Sequence, residues 1–335
     1  MNVAISERDD GGFNRSWAEM TPVDRRSVIL FRLGEACNNH CPFCSNSGDP
    51  KLHLIAGDEL LRRVDYLAAS GVRRVVITGG EPTIHPAFDA VIERLNARAI
   101  RWDINTHGRT FAASVQARRA AKLGLRRAIV SLHHHEEAVS AQLFGSQRRA
   151  HAETVEGIAA LMRAGVKVMI NCVLTRANAG DLEQFVEFCV ARFAEIDRFA
   201  VKFAFPTTTG KGGGWAGIQL RYDEIRASLA RLVRRRNQWP VPLYFENIPN
   251  CVLQVPGAEP MSRSGFGQTH YLDDLGGREF FDMRGIESGF AAFGPDCRLC
   301  QELPHCSGVS RMYAASHGYN ELTPLLPTPD KEPLS

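Results

Sequence analysis

The sequence predicts an α/β protein: an open, partial, TIM-like (β/α)6 barrel followed by a small C-terminal extension. Three observations carry this. The chain has 335 residues, more than the roughly 200–250 that an α/β barrel uses as one unit. From residue 27 short β-rich runs alternate with amphipathic stretches, the pattern of repeated βα units on a parallel sheet. After residue 205 the alternation stops, and a Gly-rich, helix-poor stretch over 251–320 follows.

Strands are expected at Val28–Leu33, Val72–Thr78, Ile100–Asn105, Arg127–Leu132, Val166–Val173 and Phe199–Phe205. Helices are expected at Gly57–Ala69, Phe88–Asn96, Val115–Leu123, Ala152–Ala164 and Asp181–Phe193. In the first of these Leu60, Leu61, Val64 and Leu67 share one face. Right-handed crossovers curl such a series into a partial barrel. A loop with Gly210 and Gly212–Gly214 follows, lacking the residue order of a phosphate-binding loop. Then come a helix at Tyr222–Asn237 and one more apolar strand at Val241–Phe245. The expected division is a lead-in over 1–26, a barrel over 27–240, an extension over 241–323 and a flexible, proline-rich tail over 324–335.

Hydrophobic residues make up 44% and charged residues 23% of the chain, ordinary for a globular protein. No run approaches ~20 apolar residues, so no membrane span is expected. The first residues lack an apolar signal core, which points to the cytoplasm. The net charge of +3 is too small to argue for nucleic acid, and the arginines are dispersed along the sequence. The run Arg234–Arg236 reads as a solvated helix face.

Seven of the nine cysteines fall in two groups. In a reducing compartment such groups are metal ligands or redox centres rather than disulfides. Cys172 and Cys189 stand alone in apolar segments and read as small buried side chains. Cys37, Cys41 and Cys44, spaced x3 and x2 after the first strand, can converge on one point. Thiolates suit both zinc and [4Fe–4S] clusters. Zinc would need a fourth ligand, for which His40 is a candidate. His133-His134-His135 resembles a metal tract, but consecutive side chains diverge.

The motif C-x3-C-x-aromatic-C, with Phe43 at the aromatic position, resembles that of the radical S-adenosylmethionine (SAM) superfamily. So does Gly79-Gly80-Glu81-Pro82 at the end of the next strand. The resemblance implies a [4Fe–4S] cluster on Cys37, Cys41 and Cys44, with its open iron chelating SAM. It also implies that the GGEP turn binds the methionine end, the Glu81 carboxylate complementing the ammonium group. Asn105, Ser131 and Asn171, at later strand ends, are carried over as SAM contacts. Strand C-termini are where parallel barrels place ligands.

Cys297, Cys300 and Cys306 form C-x2-C-x5-C, which resembles the SPASM and Twitch extensions that hold auxiliary [4Fe–4S] clusters. Ser310 stands where a full SPASM pattern has cysteine, so a single Twitch-like cluster is expected, with Cys251 as fourth ligand. His270 or substrate are alternatives for that fourth position, and a zinc knuckle for the trio.

The implied function is an oxidoreductase that cleaves SAM to a 5′-deoxyadenosyl radical and takes hydrogen from a peptide or small molecule. Peptide maturation leads over natural-product biosynthesis. The molybdenum-cofactor cyclases are disfavoured, because Pro324–Ser335 replaces their glycine–arginine tail. The implied partner is a low-potential electron donor, flavodoxin or ferredoxin. An RNA-modifying enzyme is the weaker alternative, since no RNA-binding module or basic stripe is evident. A non-catalytic Fe–S or zinc scaffold is weaker still.

Overall fold

Alternation of buried and half-exposed positions along the strands at 127–131 and 167–173 shows how the sheet divides its two faces. The computed structural model describes residues 15–16, 28–44, 54–193, 199–204, 220–254, 269–272, 279–282, 291–306 and 308–326. A two-residue strand, β1 (Arg15–Ser16), precedes the barrel. The barrel strands are β2 (Val28–Arg32), β3 (Arg74–Thr78), β4 (Arg101–Thr106), β5 (Arg127–Ser131), β6 (Lys167–Val173), β7 (Phe199–Ala204) and β8 (Leu243–Glu246). Each pairs in parallel with the next in chain order. The helices between them are α1 (Gly57–Ala69), α2 (Phe88–Ala97), α3 (Ser114–Lys122), α4 (Glu137–Phe144), α5 (Arg149–Arg163), α6 (Leu182–Arg192) and α7 (Tyr222–Arg235).

On β5 and β6 the residues Ala128, Val130, Val168, Ile170 and Cys172 are buried against the helices. Ile129, Ser131, Met169, Asn171 and Val173 alternate with them and stay half-exposed on the opposite, concave face. Period-2 alternation on a parallel strand means one face meets helices while the other lines a cavity. Helix α1 presents Leu60, Val64 and Leu67 to the core and carries Asp58 and Glu59 in its first turn, where the helix dipole favours acids. It ends at Ser70, and Gly71 follows at φ +82°.

The open α/β barrel is the predicted class, with four differences. The parallel sheet has β8 as a seventh strand, reached through α7. Helix α4 lies between β5 and α5, where no helix was expected. Its apolar residues do not recur at one helical spacing, so periodicity gave no signal. Third, β2 also pairs in parallel with β9 (Thr269–Leu272), which continues antiparallel into β10 (Glu279–Asp282) and β1. Fourth, the helix-poor C-terminal stretch carries α8 (Asn250–Leu253) and α9 (Arg311–His317), besides the paired β11 (Ala291–Ala292) and β12 (Val309–Ser310). The loop at 206–214 lies outside the described residues. Of the tail, residues 324–326 are described, and Leu325 is docked: its carbonyl accepts from the Gln301 amide at 2.8 Å.

Candidate functional site at the barrel mouth

The loop after β2 carries Cys37, Cys41 and Cys44, all half-buried and unbridged. It is knitted to the loop after β3 by a ladder that outruns both strands. The Leu33 amide donates to Thr78 O at 3.0 Å, Gly80 to Gly34 O at 2.8 Å and Glu81 to Ala36 O at 2.8 Å. A Cβ on Gly80 would lie 2.2 Å from Ala36 O and 2.4 Å from Glu35 O. Gly79, at φ +136°, would put its Cβ 2.2 Å from Gly34 O. Glycine is required there because two backbones touch. The paired glycines therefore join the GGEP turn to the cysteine loop.

Glu81 departs from expectation. Its side chain is 0% exposed and accepts from Thr83 N (3.1 Å), Thr83 Oγ1 (2.6 Å), Thr106 Oγ1 (2.8 Å) and His107 N (2.7 Å). A carboxylate so occupied ties the β3 and β4 ends together, instead of facing an ammonium group. Pro82 is buried at the start of the single turn that follows.

The cysteine loop is fastened at further points that sequence reasoning missed. His107 Nε2 meets Asn38 Oδ1 at 2.6 Å, and Arg109 donates to Asn38 O (3.1 Å), Asn39 Oδ1 (2.7 Å) and Glu153 (2.6 Å). On the other side the His40 amide donates to Phe144 O at 2.8 Å, at the end of α4. Gly145, at φ +55°, makes room for His40 O. Phe43 packs on Leu143 and meets His133 edge-on at 4.9 Å. His133 accepts from the Val173 amide at 3.1 Å, and burial pushes its pKa down to about 3. It is a neutral acceptor in the wall. His134 turns instead to Asp181 at 3.2 Å and stacks on His135 with ring centroids 4.3 Å apart, so only His133 leaves the run, where all three side chains were expected to diverge.

The concave face carries a polar row at the strand ends. Arg32 is the cross-strand partner of Thr78, Ser131 of Asn171, and Asn171 of Lys202. Asn105 Nδ2 reaches Thr78 Oγ1 at 3.5 Å, and Lys202 pairs with Glu246. Two acceptors in this row, Asn105 Oδ1 and Asn171 Oδ1, are buried without a hydrogen-bond partner among the described residues. Burying an unsatisfied carbonyl costs about 1–3 kcal/mol. Hydroxyl and amine groups, which SAM carries, are the donors that such acceptors lack. The three unbridged cysteines supply thiolates of the kind that hold an iron–sulfur cluster.

The cysteines of the second group, Cys251, Cys297, Cys300 and Cys306, are half-buried and unbridged. Burial is the main reason the Cys251 thiol rises to about 12, and the nearby Cys306, Cys300 and Cys297 push it the same way. A backbone amide reaches two of these sulfurs, Gly308 N to Cys306 at 3.3 Å and Leu325 N to Cys300 at 3.4 Å. Asn250, beside Cys251, donates to Glu302 at 3.0 Å. Among the described residues no three His, Cys, Asp or Glu side chains converge on a point suited to a single metal ion. The side chain of His270 lies outside the described residues. Cys172 and Cys189 are fully buried, as expected.

A partial parallel barrel with C-x3-C-x2-C on its first loop and GGEP on its second has the architecture of a class of enzymes that cleave SAM. Residues 31–189 match the model of the Radical SAM superfamily, so this part of the chain is a Radical SAM domain. Such a domain marks an enzyme and implies a [4Fe–4S] cluster, SAM, a reductant and a substrate. It is 28% identical over 246 residues to a probable GTP 3′,8-cyclase of Sulfolobus acidocaldarius, covering 71% of this chain and 75% of that one. It is 29% identical over 238 residues to GTP 3′,8-cyclase 3 of Mycobacterium bovis, and the match spans 60% of that protein's length. The expected lead for peptide maturation is thus not what these relatives carry; they bear the cyclase name that the tail argued against. The fold resembles Streptococcus suis SuiB bound to S-adenosylmethionine, with a TM-score of 0.58 and 16% identity over 89% of this chain and 76% of that one. It also resembles anSMEcpe with bound AdoMet, with a TM-score of 0.62 and 15% identity over 85% and 89%. At such identities the likeness is one of fold. Among the described residues no helix is long and apolar enough to cross a membrane.

Proposed function

We propose that this chain binds a [4Fe–4S] cluster on Cys37, Cys41 and Cys44 and SAM across the barrel mouth, and acts on a small-molecule substrate. The pair of buried, unpartnered acceptors, Asn105 Oδ1 and Asn171 Oδ1, is the observation that carries this reading. When bound and reduced, the cluster supplies the electron that splits SAM into methionine and a 5′-deoxyadenosyl radical. The chain's own residues prepare that event. Asn105, Ser131 and Asn171 orient SAM from the strand ends. Gly79 and Gly80 hold the GGEP turn against the cysteine loop, and Pro82 stiffens it. Phe43, packed on Leu143 and His133, seats the inner side of the loop.

The same face offers Lys202 and Glu246 to a polar substrate, and the cyclase names of the relatives favour a small molecule over a peptide. Cys251, Cys297, Cys300 and Cys306 would hold a second [4Fe–4S] cluster in an extension over 241–323. With four protein ligands it would exchange electrons and leave no iron free for substrate.

Anaerobic reconstitution tests the core of this. With dithionite and SAM the full chain yields 5′-deoxyadenosine, and replacing Cys37, Cys41 and Cys44 together by Ala abolishes it. Product retained by the triple variant would sink the assignment. Supplying GTP separates cyclase chemistry, in which GTP is consumed with the 5′-deoxyadenosine, from another small-molecule reaction.

A further inference from the structure

The last two strands of the barrel carry, on their inner face, an ion pair that the sheet does not need. On β7, Val201 and Phe203 are buried in the core, so Ala200, Lys202 and Ala204 face inward. On β8, Leu243 and Phe245 are buried in the same way, and Tyr244 and Glu246 face inward. Lys202 is the cross-strand partner of Tyr244, and Ala204 of Glu246. The Lys202 ammonium pairs with Glu246 Oε2, the two side chains being only 14% and 27% exposed. Replacing a pair so withdrawn from water by apolar residues is often neutral or stabilising, so strand stability does not call for it.

The pair is also only half used. Among the described residues Lys202 donates to Glu246 alone, which leaves N–H groups of its ammonium free, and Glu246 Oε1 accepts no hydrogen bond. Tyr244 is 40% exposed, although the residues on either side of it along β8 are buried. The neighbours of Lys202 on the inner face of β7, Ala200 and Ala204, are small and leave room beside it. Three cations at the mouth, Arg32, Arg109 and Lys202, are matched by Glu35, Glu153 and Glu246. These residues therefore offer separated poles of both signs rather than a net positive field.

We infer that Lys202, Tyr244 and Glu246 form the substrate subsite for a small zwitterion, a free α-amino acid. The inference rests on the SAM-cleaving reading and names the substrate class for it. Lys202 donates to the ligand's carboxylate, Glu246 Oε1 accepts from its ammonium group, and the face of the Tyr244 ring attracts the same cation. A ligand lying on the pair strips its remaining water, and charged groups offset that cost better than the dipoles of a neutral ring. A nucleoside triphosphate would bring several negative charges to a lining of balanced sign. A residue inside a peptide has lost both of the charges that the poles match. Asn171 is the cross-strand partner of Lys202, and neighbouring strands lie about 5 Å apart. The ligand thus sits beside the row that orients SAM.

The test uses the reconstituted full chain with SAM and dithionite and begins without any variant. The proteinogenic L-amino acids, supplied one at a time, should include one that raises 5′-deoxyadenosine formation above the rate without substrate. Its N-acetyl and carboxamide forms each lack one charge and should each lose about tenfold or more in kcat/KM, the weight of a charged hydrogen bond. Lys202→Met should erase the discrimination against the carboxamide, and Glu246→Gln that against the N-acetyl form. A general loss of folding does not produce so selective an effect. No stimulation by any amino acid, whether or not GTP stimulates, would overturn the proposal. So would equal turnover of the amino acid and its two blocked forms. If the chain makes no 5′-deoxyadenosine under any condition, the SAM-cleaving reading fails instead. Calorimetric titration of the same amino acids onto the chain then judges the subsite by itself, and absence of binding defeats it.

Discussion

Gly80 is where a single added carbon does most damage. Its Cβ would fall 2.2 Å from one backbone carbonyl and 2.4 Å from another, and backbone cannot step aside as a flexible side chain can. Gly80→Ala should lower the melting temperature by roughly 5 °C or more and reduce iron retained after reconstitution, checked by calorimetry and iron assay. His133 gives a prediction in pH. Its folded pKa of about 3 lies below the ordinary 6.5 because the ring is buried. The unfolded chain therefore binds the extra proton between these values, and stability falls as pH drops through that window. Above pH 6.5 the ring contributes no pH dependence. His133→Asn keeps an acceptor for the Val173 amide and should flatten the decline in melting temperature between pH 6.5 and 4. The motif residues were legible in the sequence by type and spacing. The use of Glu81 was not, because its partners Thr106 and His107 come from the next strand and only the folded chain shows that its oxygens are occupied.

The cysteine loop behaves as an element although it has no regular structure, because its neighbours define it. Arg109 alone reaches two consecutive loop residues and Glu153 of α5. Arg109→Ala should therefore release the loop without dismantling the barrel. The expected result is lower iron occupancy and faster cluster loss in air, followed by absorbance near 400 nm, with a melting transition close to that of wild type. Legibility at this scale followed periodicity. The βα units over β2–β7 could be read because their apolar positions recur strictly. Helix α4 could not, since its eight residues bury Ser140, Leu143 and Phe144 without a continuous stripe. Yet α4 supplies the carbonyl of Phe144 that seats His40. The brevity of the strands at 269–272 and 279–282, set among glycines, hid the extension of the sheet beyond β2.

At the scale of the whole molecule, a buried polar cluster joins the C-terminal stretch to the barrel. Tyr222 N donates to Tyr313 Oη at 2.8 Å, Tyr313 donates to Glu321, and Glu321 also accepts from Arg221. This latch ties α9 to the start of α7. Replacing Cys297 and Cys300 by Ala should lower iron from about eight to about four per chain, read by iron assay, while dithionite-driven SAM cleavage persists. An unchanged iron count would remove the second cluster from the account. The latch residues look ordinary in sequence, because their partners lie far along the chain. The ladder that continues past β2 and β3, from Leu33–Thr78 through Gly34–Gly80 to Ala36–Glu81, has a mechanical result. The thiolates and the GGEP turn ride as one stiff lip. Among the described residues the sheet ends at β8, so the opposite lip, which carries Lys202 and Glu246, has an edge strand held by a neighbouring strand on one side only. A ligand that widened the mouth from that edge would leave the spacing of the thiolates unchanged.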